Sequence, residues 1–507
     1  MADLFDSARG KVTRRKAVAL LGLGTIGLVL SACGGGGAAA PAGAPTKAAG
    51  AGAAPTVAGA AAAPTTAAAA GAAATKPAAA GAAAGTTPGA EPTPQVYKSK
   101  GTKGTVSYWH NHTGIGLDAH QKVWDKFTAD TGLGVEATYV PTTAGTQMSE
   151  KLLTAIAGGT PPDTAYFDRF IVASWANKGS LTDITAQAQK DGIKPDDYFD
   201  FAWQEASLRG KLYALPYGTD TRGLWWNKDH FKEVGLDPEK PPKTVQELDT
   251  MAEKLTKKDG NKLTRLGFSP YIGQSHFYGW GWMFGGNFYD DKTGKFDATD
   301  EHNIHAGDWY TSYAKKYDIA QIDSFSQGFG SNAQDPFIAG LVSMQVNGNW
   351  IVPTLQKYAP NGNFGAATIP TVPGDNDKTS TWAGGWSIVV PKGVKNVDNA
   401  WTFVKTQCSA EYMVAYAKAG DSFFMPTAKK AVADPFYETL GPQWKVFMDL
   451  LPIAKWRPVI PEGQLAWTEL GDAGDQMRHM KKAPKQALQD VTTKVNDALQ
   501  KDKWTGV

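Results

Sequence analysis

The chain has 507 residues, with 51 Lys and Arg against 49 Asp and Glu. It is too long for one ordinary domain, and its balanced charge gives no reason to expect a nucleic-acid or polyanion partner. Two cysteines, Cys33 and Cys408, exclude a disulfide framework, and no Cys/His spacing reads as a structural zinc site.

The N-terminus reads as an export signal. Lys11 and Arg14-Arg15-Lys16 precede an apolar run over 17–30 that ends in Leu30-Ser31-Ala32-Cys33. The run is shorter than the ~20 residues a membrane-spanning helix needs, so a removed signal is the better reading than a retained anchor. Leu-Ser-Ala-Cys resembles the lipobox of bacterial lipoproteins, in which the cysteine thiol is diacylated. Residues 1–33 are therefore expected to be a lipoprotein signal peptide with Cys33 as the lipidation site. The pair Arg14-Arg15 is followed by Lys16 and lacks the aromatic expected after a twin-arginine pair, which leaves Sec and Tat export both open. Residues 34–103 are dominated by Ala, Gly, Pro and Thr. Gly and Pro interrupt every alanine run, and no large apolar side chain is available to bury, so a disordered tether is expected.

Beyond it the pattern is α/β. Thr105-Val-Ser-Tyr-Trp109 is a β-branched and aromatic strand. Leu117, His120, Val123, Trp124 and Phe127 recur at helical spacing, and Gly132 stops that helix. A strand over 135–140, an amphipathic helix carrying Leu152, Leu153 and Ile156, and a strand at Thr164-Ala-Tyr-Phe167 complete β-α-β-α-β. This order predicts a mostly parallel sheet with helices on both faces, and ligands bind such sheets at the carboxyl ends of the strands. Trp109, His110 and Asn111 follow one strand end, and Asp168 and Arg169 follow another. Lys211-Leu-Tyr-Ala-Leu-Pro-Tyr217 is a further strand, Ser387-Ile-Val-Val390 is a buried one, and Ala487, Leu488, Val491, Val495 and Leu499 form the apolar face of a last helix. All 17 tryptophans lie between Trp109 and Trp504. An indole offers a flat apolar face and one N–H donor, which suits a pyranose ring; most of these side chains are expected in cores and the rest are available for binding.

Several strings in this order resemble the extracellular solute-binding proteins of bacterial sugar-uptake ABC transporters, the group that includes the maltose-binding protein. They include Lys151-Leu-Leu-Thr-Ala-Ile-Ala-Gly-Gly-Thr-Pro-Pro-Asp163, Gly210-Lys-Leu-Tyr-Ala-Leu-Pro216, Trp226-Asn-Lys-Asp229, Phe337-Ile-Ala-Gly-Leu-Val-Ser-Met344, Asn347-Gly-Asn-Trp350 and Gly384-Gly-Trp386. The resemblance implies a two-lobe periplasmic-binding-protein fold of the hinged-trap kind (type II). Lobe 1 would be 104–216 with 387–435, and lobe 2 would be 217–386 with 436–507. It also implies a non-enzymatic role: a monomeric chain held by its lipid on the outer face of the cytoplasmic membrane binds a mono- or oligosaccharide and delivers it to ABC permease subunits served by a separate ATPase. No cofactor is implied. The same fold binding a polyol or glycerol phosphate is the alternative, and a secreted glycoside hydrolase is a remoter one.

Carried onto this chain, the resemblance puts Asp168 where relatives bind sugar hydroxyls, with Arg169 beside it, and makes Trp350 and Trp467 stacking aromatics. Trp386 follows a glycine pair near a hinge, where backbone approaches a ligand closely. Tyr217, Asp220 and Arg222 follow the first hinge strand. Of Tyr278, Trp280 and Trp282, in a Gly-interleaved stretch that matches a variable part of the family's cleft, one is expected at the ligand. His302 and His305, three apart on a possible helix, read as a solvated face rather than a metal site. The chain has no Gly-x-x-x-x-Gly-Lys-[Ser/Thr] string, so any ATPase lies on another subunit. Cys408 reads as a buried small residue.

Overall fold

The computed structural model describes residues 96–141, 147–274 and 276–506, without the side chains of 147–149. The signal peptide, Cys33 and most of the 34–103 linker lie outside the described residues. Among the described residues no helix is long and apolar enough to cross a membrane.

The first lobe is built on a seven-stranded sheet. Its strands run in the order Val96–Lys98, Gly134–Tyr139, Thr105–His110, Thr164–Asp168, Gly384–Val389, Ala214–Asp220 and Met425–Pro426. Thr105–His110 shows the two-residue alternation of a strand: Val106, Tyr108 and His110 are buried, and Ser107 and Trp109 are half-buried. It pairs in parallel with Gly134–Tyr139 on one side and Thr164–Asp168 on the other. The Gly114–Thr131 helix between the first two buries Ala119, His120, Val123, Trp124 and Phe127. It ends on Gly132 at φ 78°, a left-handed conformation suited to glycine, whose N–H donates to the Thr128 carbonyl. Burying each large apolar side chain of this core contributes about 1.5–3 kcal/mol.

Val96–Lys98 pairs antiparallel with Gly134–Tyr139, and the Tyr97 ring packs 5.3 Å from Trp124. Part of the stretch read as linker up to 103 thus belongs to the sheet: a β-branched and an aromatic residue there complete its edge.

The second lobe has a three-stranded antiparallel sheet with Arg222–Asn227 between Met344–Gly348 and Phe364–Ala367. Its core is aromatic, with Phe268, Phe277, Tyr278, Trp280, Trp282, Phe288, Tyr310 and Tyr313 all buried. The terminal Pro484–Lys501 helix adds Ala487, Leu488, Val491, Val495 and Leu499 to the same core.

The chain passes from the first sheet to the second at Thr221 and returns at Ala383. Both points differ by a few residues from the 216/217 and 386/387 boundaries read from sequence, because Ala214–Asp220 and Gly384–Val389 stay paired to one another to their ends. The two crossings are laced together. The Arg222 N–H donates to Thr381 Oγ1 at 2.9 Å, and the Thr381 hydroxyl donates to the Arg222 carbonyl at 2.8 Å.

Candidate functional site

Strand order places several loops at one end of the first sheet. Thr105–His110 has Gly134–Tyr139 on one side and Thr164–Asp168 on the other, so the connections leaving its neighbours diverge and open a crevice at the carboxyl ends. Gly384–Val389 runs antiparallel, which brings its first residues to the same end: Trp386 lies opposite Asp168 and Gly218, and Gly384 opposite Asp220. The resulting cleft, of about 620 Å³, is walled by both lobes. Asn111, His112, Tyr166, Asp168, Asp220 and Trp386 come from the first, and Arg222, Gln274, Asn349, Trp350 and Trp382 from the second; Arg457 and Trp467 close it from the C-terminal part of the chain.

Four indoles frame this space. Trp386 is half-buried and stacks on Tyr166. Trp350, 36% exposed, lies over Gly348, where any Cβ would meet the ring at 1.8 Å. Trp467 stacks on His276 with centroids 3.4 Å apart. Trp382 stands between two guanidiniums, Arg222 at 3.5 Å and Arg457 at 5.3 Å from its ring centre.

The charges are paired. Asp220 Oδ1 accepts from Arg222 Nη1 and, at 2.7 Å, from the Gly384 N–H. Desolvation lowers the pKa of the buried Arg222 to about 10, with Asp220 pulling it the other way. Asp168 Oδ1 lies 3.4 Å from Arg457 Nη2. Burial pushes the Asp168 carboxyl above its usual range, opposed chiefly by the Arg457 guanidinium. Beneath them Glu205, fully buried, accepts from Arg169 Nε at 2.8 Å and faces Arg457 Nε at 3.9 Å. Asp421, whose pKa burial raises, accepts from the Tyr416 hydroxyl at 2.9 Å. Carboxylates and guanidiniums thus largely cancel at the cleft floor, leaving fixed donors and acceptors rather than a charged trap.

Of the residues singled out from sequence, Asn111, Asp168, Asp220, Trp350, Trp386 and Trp467 line the cleft. Six others do not. Trp109 packs half-buried against the first core, and His110 points away from the cleft, beneath Tyr97 and Tyr139. Arg169 is fully buried under the floor, where Nη1 and Nη2 donate to the Gly218 and Gly384 carbonyls at 2.9 and 2.6 Å. Tyr217 is the extra residue of a bulge between the pairs Gly218–Trp386 and Pro216–Ser387; its side chain turns inward, and its hydroxyl reaches His120. Trp280 and Trp282 are core residues. Every residue of their short helix, Phe277–Met283, is buried except the half-buried Gly279, and Gly281 serves close packing: a Cβ there would meet Asn303 and Phe288 at 2.4 Å.

The sequence reading did not identify Trp382, His112, Tyr166, Gln274 or Asn349 as site residues. Arg222, which follows the first hinge strand, lines the cleft as well, with Arg457 beside it. The proximity of Trp382 to the Gly384-Gly385 pair was the one available signal.

The sequence model of the bacterial extracellular solute-binding protein family matches residues 109–414. The multiple sugar-binding protein of Streptococcus mutans is 23% identical over 382 residues, covering 68% of this chain and 84% of that protein. The sn-glycerol-3-phosphate-binding periplasmic protein UgpB of Escherichia coli is 30% identical over a shorter stretch of 167 residues, 32% of this chain and 37% of that protein. Among solved structures, CpMnBP1 with mannobiose bound is 26% identical and superposes with a TM-score of 0.68, covering 78% of this chain and 100% of that one. The matched span, more than half of the sequence, and the two-lobe fold agree: the chain belongs to the bacterial extracellular solute-binding proteins.

Proposed function

We propose that this chain is the lipid-anchored binding component of an ABC importer for carbohydrate, taking a neutral mono- or oligosaccharide into the interlobe cleft and delivering it to membrane permease subunits. One observation carries this reading: four indole faces surround carboxylate–guanidinium pairs in a single cleft. The C–H faces of a pyranose stack on indole, and its adjacent hydroxyls match carboxylates and guanidiniums that can each make two hydrogen bonds. Asp168, Asp220, Trp350, Trp386 and Trp467 are the proposed contacts, joined by Trp382, Arg222 and Arg457. The role is binding without catalysis.

The relative that binds glycerol phosphate raises an anionic ligand as the competing reading. A phosphate needs uncommitted cations, whereas Arg222 is engaged by Asp220 and Arg457 faces Asp168 and Glu205. The charge balance favours the neutral sugar.

Closure on the ligand would be a population shift, stabilised by contacts made to both lobes at once. A thermal-shift screen against mono-, di- and oligosaccharides, polyols and sugar phosphates tests the ligand class, since a ligand that binds only the folded state raises the melting temperature. A shift with one neutral glycan class, recovered uncleaved, is expected. Silence with every glycan, or a shift only with phosphates, would overturn the assignment. The anchor is tested separately: Cys33→Ala should release the protein from the membrane fraction.

A further inference from the structure

His302 and His305 lie in the first two turns of the Glu301–Tyr317 helix, three residues apart and therefore neighbours on its surface. The fold adds a third group to this pair. Asp375 sits in a tight turn closed by backbone hydrogen bonds between Val372 and Asn376. Its Oδ1 is 2.8 Å from His305 Nδ1 and 3.3 Å from His302 Nδ1, and one donor atom from each of the three side chains lies within 4.8 Å of the others.

We propose that His302, His305 and Asp375 bind a divalent transition-metal ion, zinc foremost, with water completing the shell. Metal–ligand bonds of about 2.0–2.1 Å in a tetrahedron hold the ligand atoms about 3.3 Å apart, which is the scale of the two separations to Asp375. The third edge, between the two histidine nitrogens, lies within 4.8 Å and would close by ring rotation on binding. Two imidazoles and one carboxylate suit zinc, copper, nickel or cobalt, whereas calcium and magnesium prefer all-oxygen shells.

A helix N-terminus by itself repels a cation. Here the surrounding acids offset that field: Asp300 caps the helix, Glu301 Oε1 lies 3.9 Å from His305 Nε2, and Asp308 also acts on His305. The histidine side chains are 40% and 45% exposed, so an ion can enter. An imidazole must be neutral to ligate, so protons compete with the ion and binding should weaken in acid. The bound metal would pin the 372–376 turn to the helix within the second lobe, at a site distinct from the interlobe cleft.

The untagged full chain, stripped with a chelator, is titrated with cobalt(II) and then zinc(II). One saturable equivalent is expected, with the visible absorption of four-coordinate cobalt and its loss on adding zinc. His305→Ala and Asp375→Asn should each weaken binding by at least about tenfold. His479→Ala, a histidine paired with Asp323 elsewhere in the lobe, should leave it unchanged. Unfolding curves of all variants, matched to wild type, keep a lost site distinct from a lost fold. No saturable cobalt binding by wild type, or binding that survives both His305→Ala and Asp375→Asn, would overturn the proposal. The experiment is independent of the sugar reading, because it uses no glycan.

Discussion

The Trp386 indole lies flat against the Tyr166 ring, with centroids 4.6 Å apart and planes within 9°. Trp386 pairs with Asp168 across the two strands, and Tyr166 is two residues back from Asp168, so the two rings are diagonal neighbours on one face. Tyr166 thereby holds the indole as a platform beside the Asp168 carboxylate. Trp386→Ala is expected to lower glycan affinity by about thirtyfold or more, the range of a central aromatic anchor, while Trp386→Tyr retains most of it. Calorimetric titration with the glycan from the screen decides this, and equal affinities for wild type and Trp386→Ala would remove Trp386 from the site.

A second platform depends on a missing side chain. A Cβ at Gly348 would meet Trp350 Cζ3 at 1.8 Å and Cε3 at 2.2 Å, with the ring itself 36% exposed. The exposed indole has room to swing away, so Gly348→Ala should leave the melting temperature near wild type and weaken binding as much as Trp350→Ala does. Wild-type affinity in Gly348→Ala would mean that the position of Trp350 does not matter to the ligand.

Arg169 illustrates a residue read as a ligand contact that is instead a tie between elements. Its guanidinium joins Glu205 to the Gly218 and Gly384 carbonyls, on the two strands that lead to and from the lobe crossings. Arg169→Met strands a buried carboxylate and two carbonyls, and about 3–5 kcal/mol of stability should be lost. Arg169→Lys should recover little, since one ammonium cannot reach three acceptors fixed around a planar fork. Urea unfolding measures both; a loss below about 1 kcal/mol in Arg169→Met would contradict the tie.

The β-α-β-α-β order was legible because its periodicities are local, and it located the crevice with Asn111 and Asp168 on its rim. The second half of the cleft was harder to read for physical reasons. Trp382 and Arg457 lie in short, irregular segments without periodicity, and they meet only because Thr381–Trp382 pairs with Ala454–Lys455. Tyr217 is turned inward by a bulge, and no composition cue marks that extra residue. The Gly-interleaved Trp280 and Trp282 looked open to a ligand, yet glycines on a helix serve equally to let a core close around it. Asp375 joins His302 and His305 from a distant turn, a juxtaposition that only the tertiary structure supplies.

The buried histidines carry a pH prediction. His112 stacks on His120 at 3.6 Å, and the His120 Nδ1–H faces the Gly116 carbonyl at 2.8 Å while its Nε2 meets the Tyr217 hydroxyl at 3.2 Å. The His112 N–H donates to His110 Nδ1 at 3.2 Å. These rings are packed as neutral groups. Burial lowers the pKa of His110 to about 4, of His120 to about 3 and of His276 to about 3, and it drives His112 well below its usual value. Unfolding restores each to about 6.5, so below that pH the unfolded chain binds more protons than the folded one. Each such group then removes about 1.4 kcal/mol of stability per pH unit as the pH falls towards its folded value. Asp168, Glu205 and Asp421, raised by burial, act in the opposite sense, so the histidine contribution is read over roughly pH 5–6.5, between the folded and unfolded histidine values. Urea unfolding at intervals across that window should show a steep loss of stability on acidification. A flat profile there would mean that these histidines titrate alike in both states and that the stacked cluster is open to water.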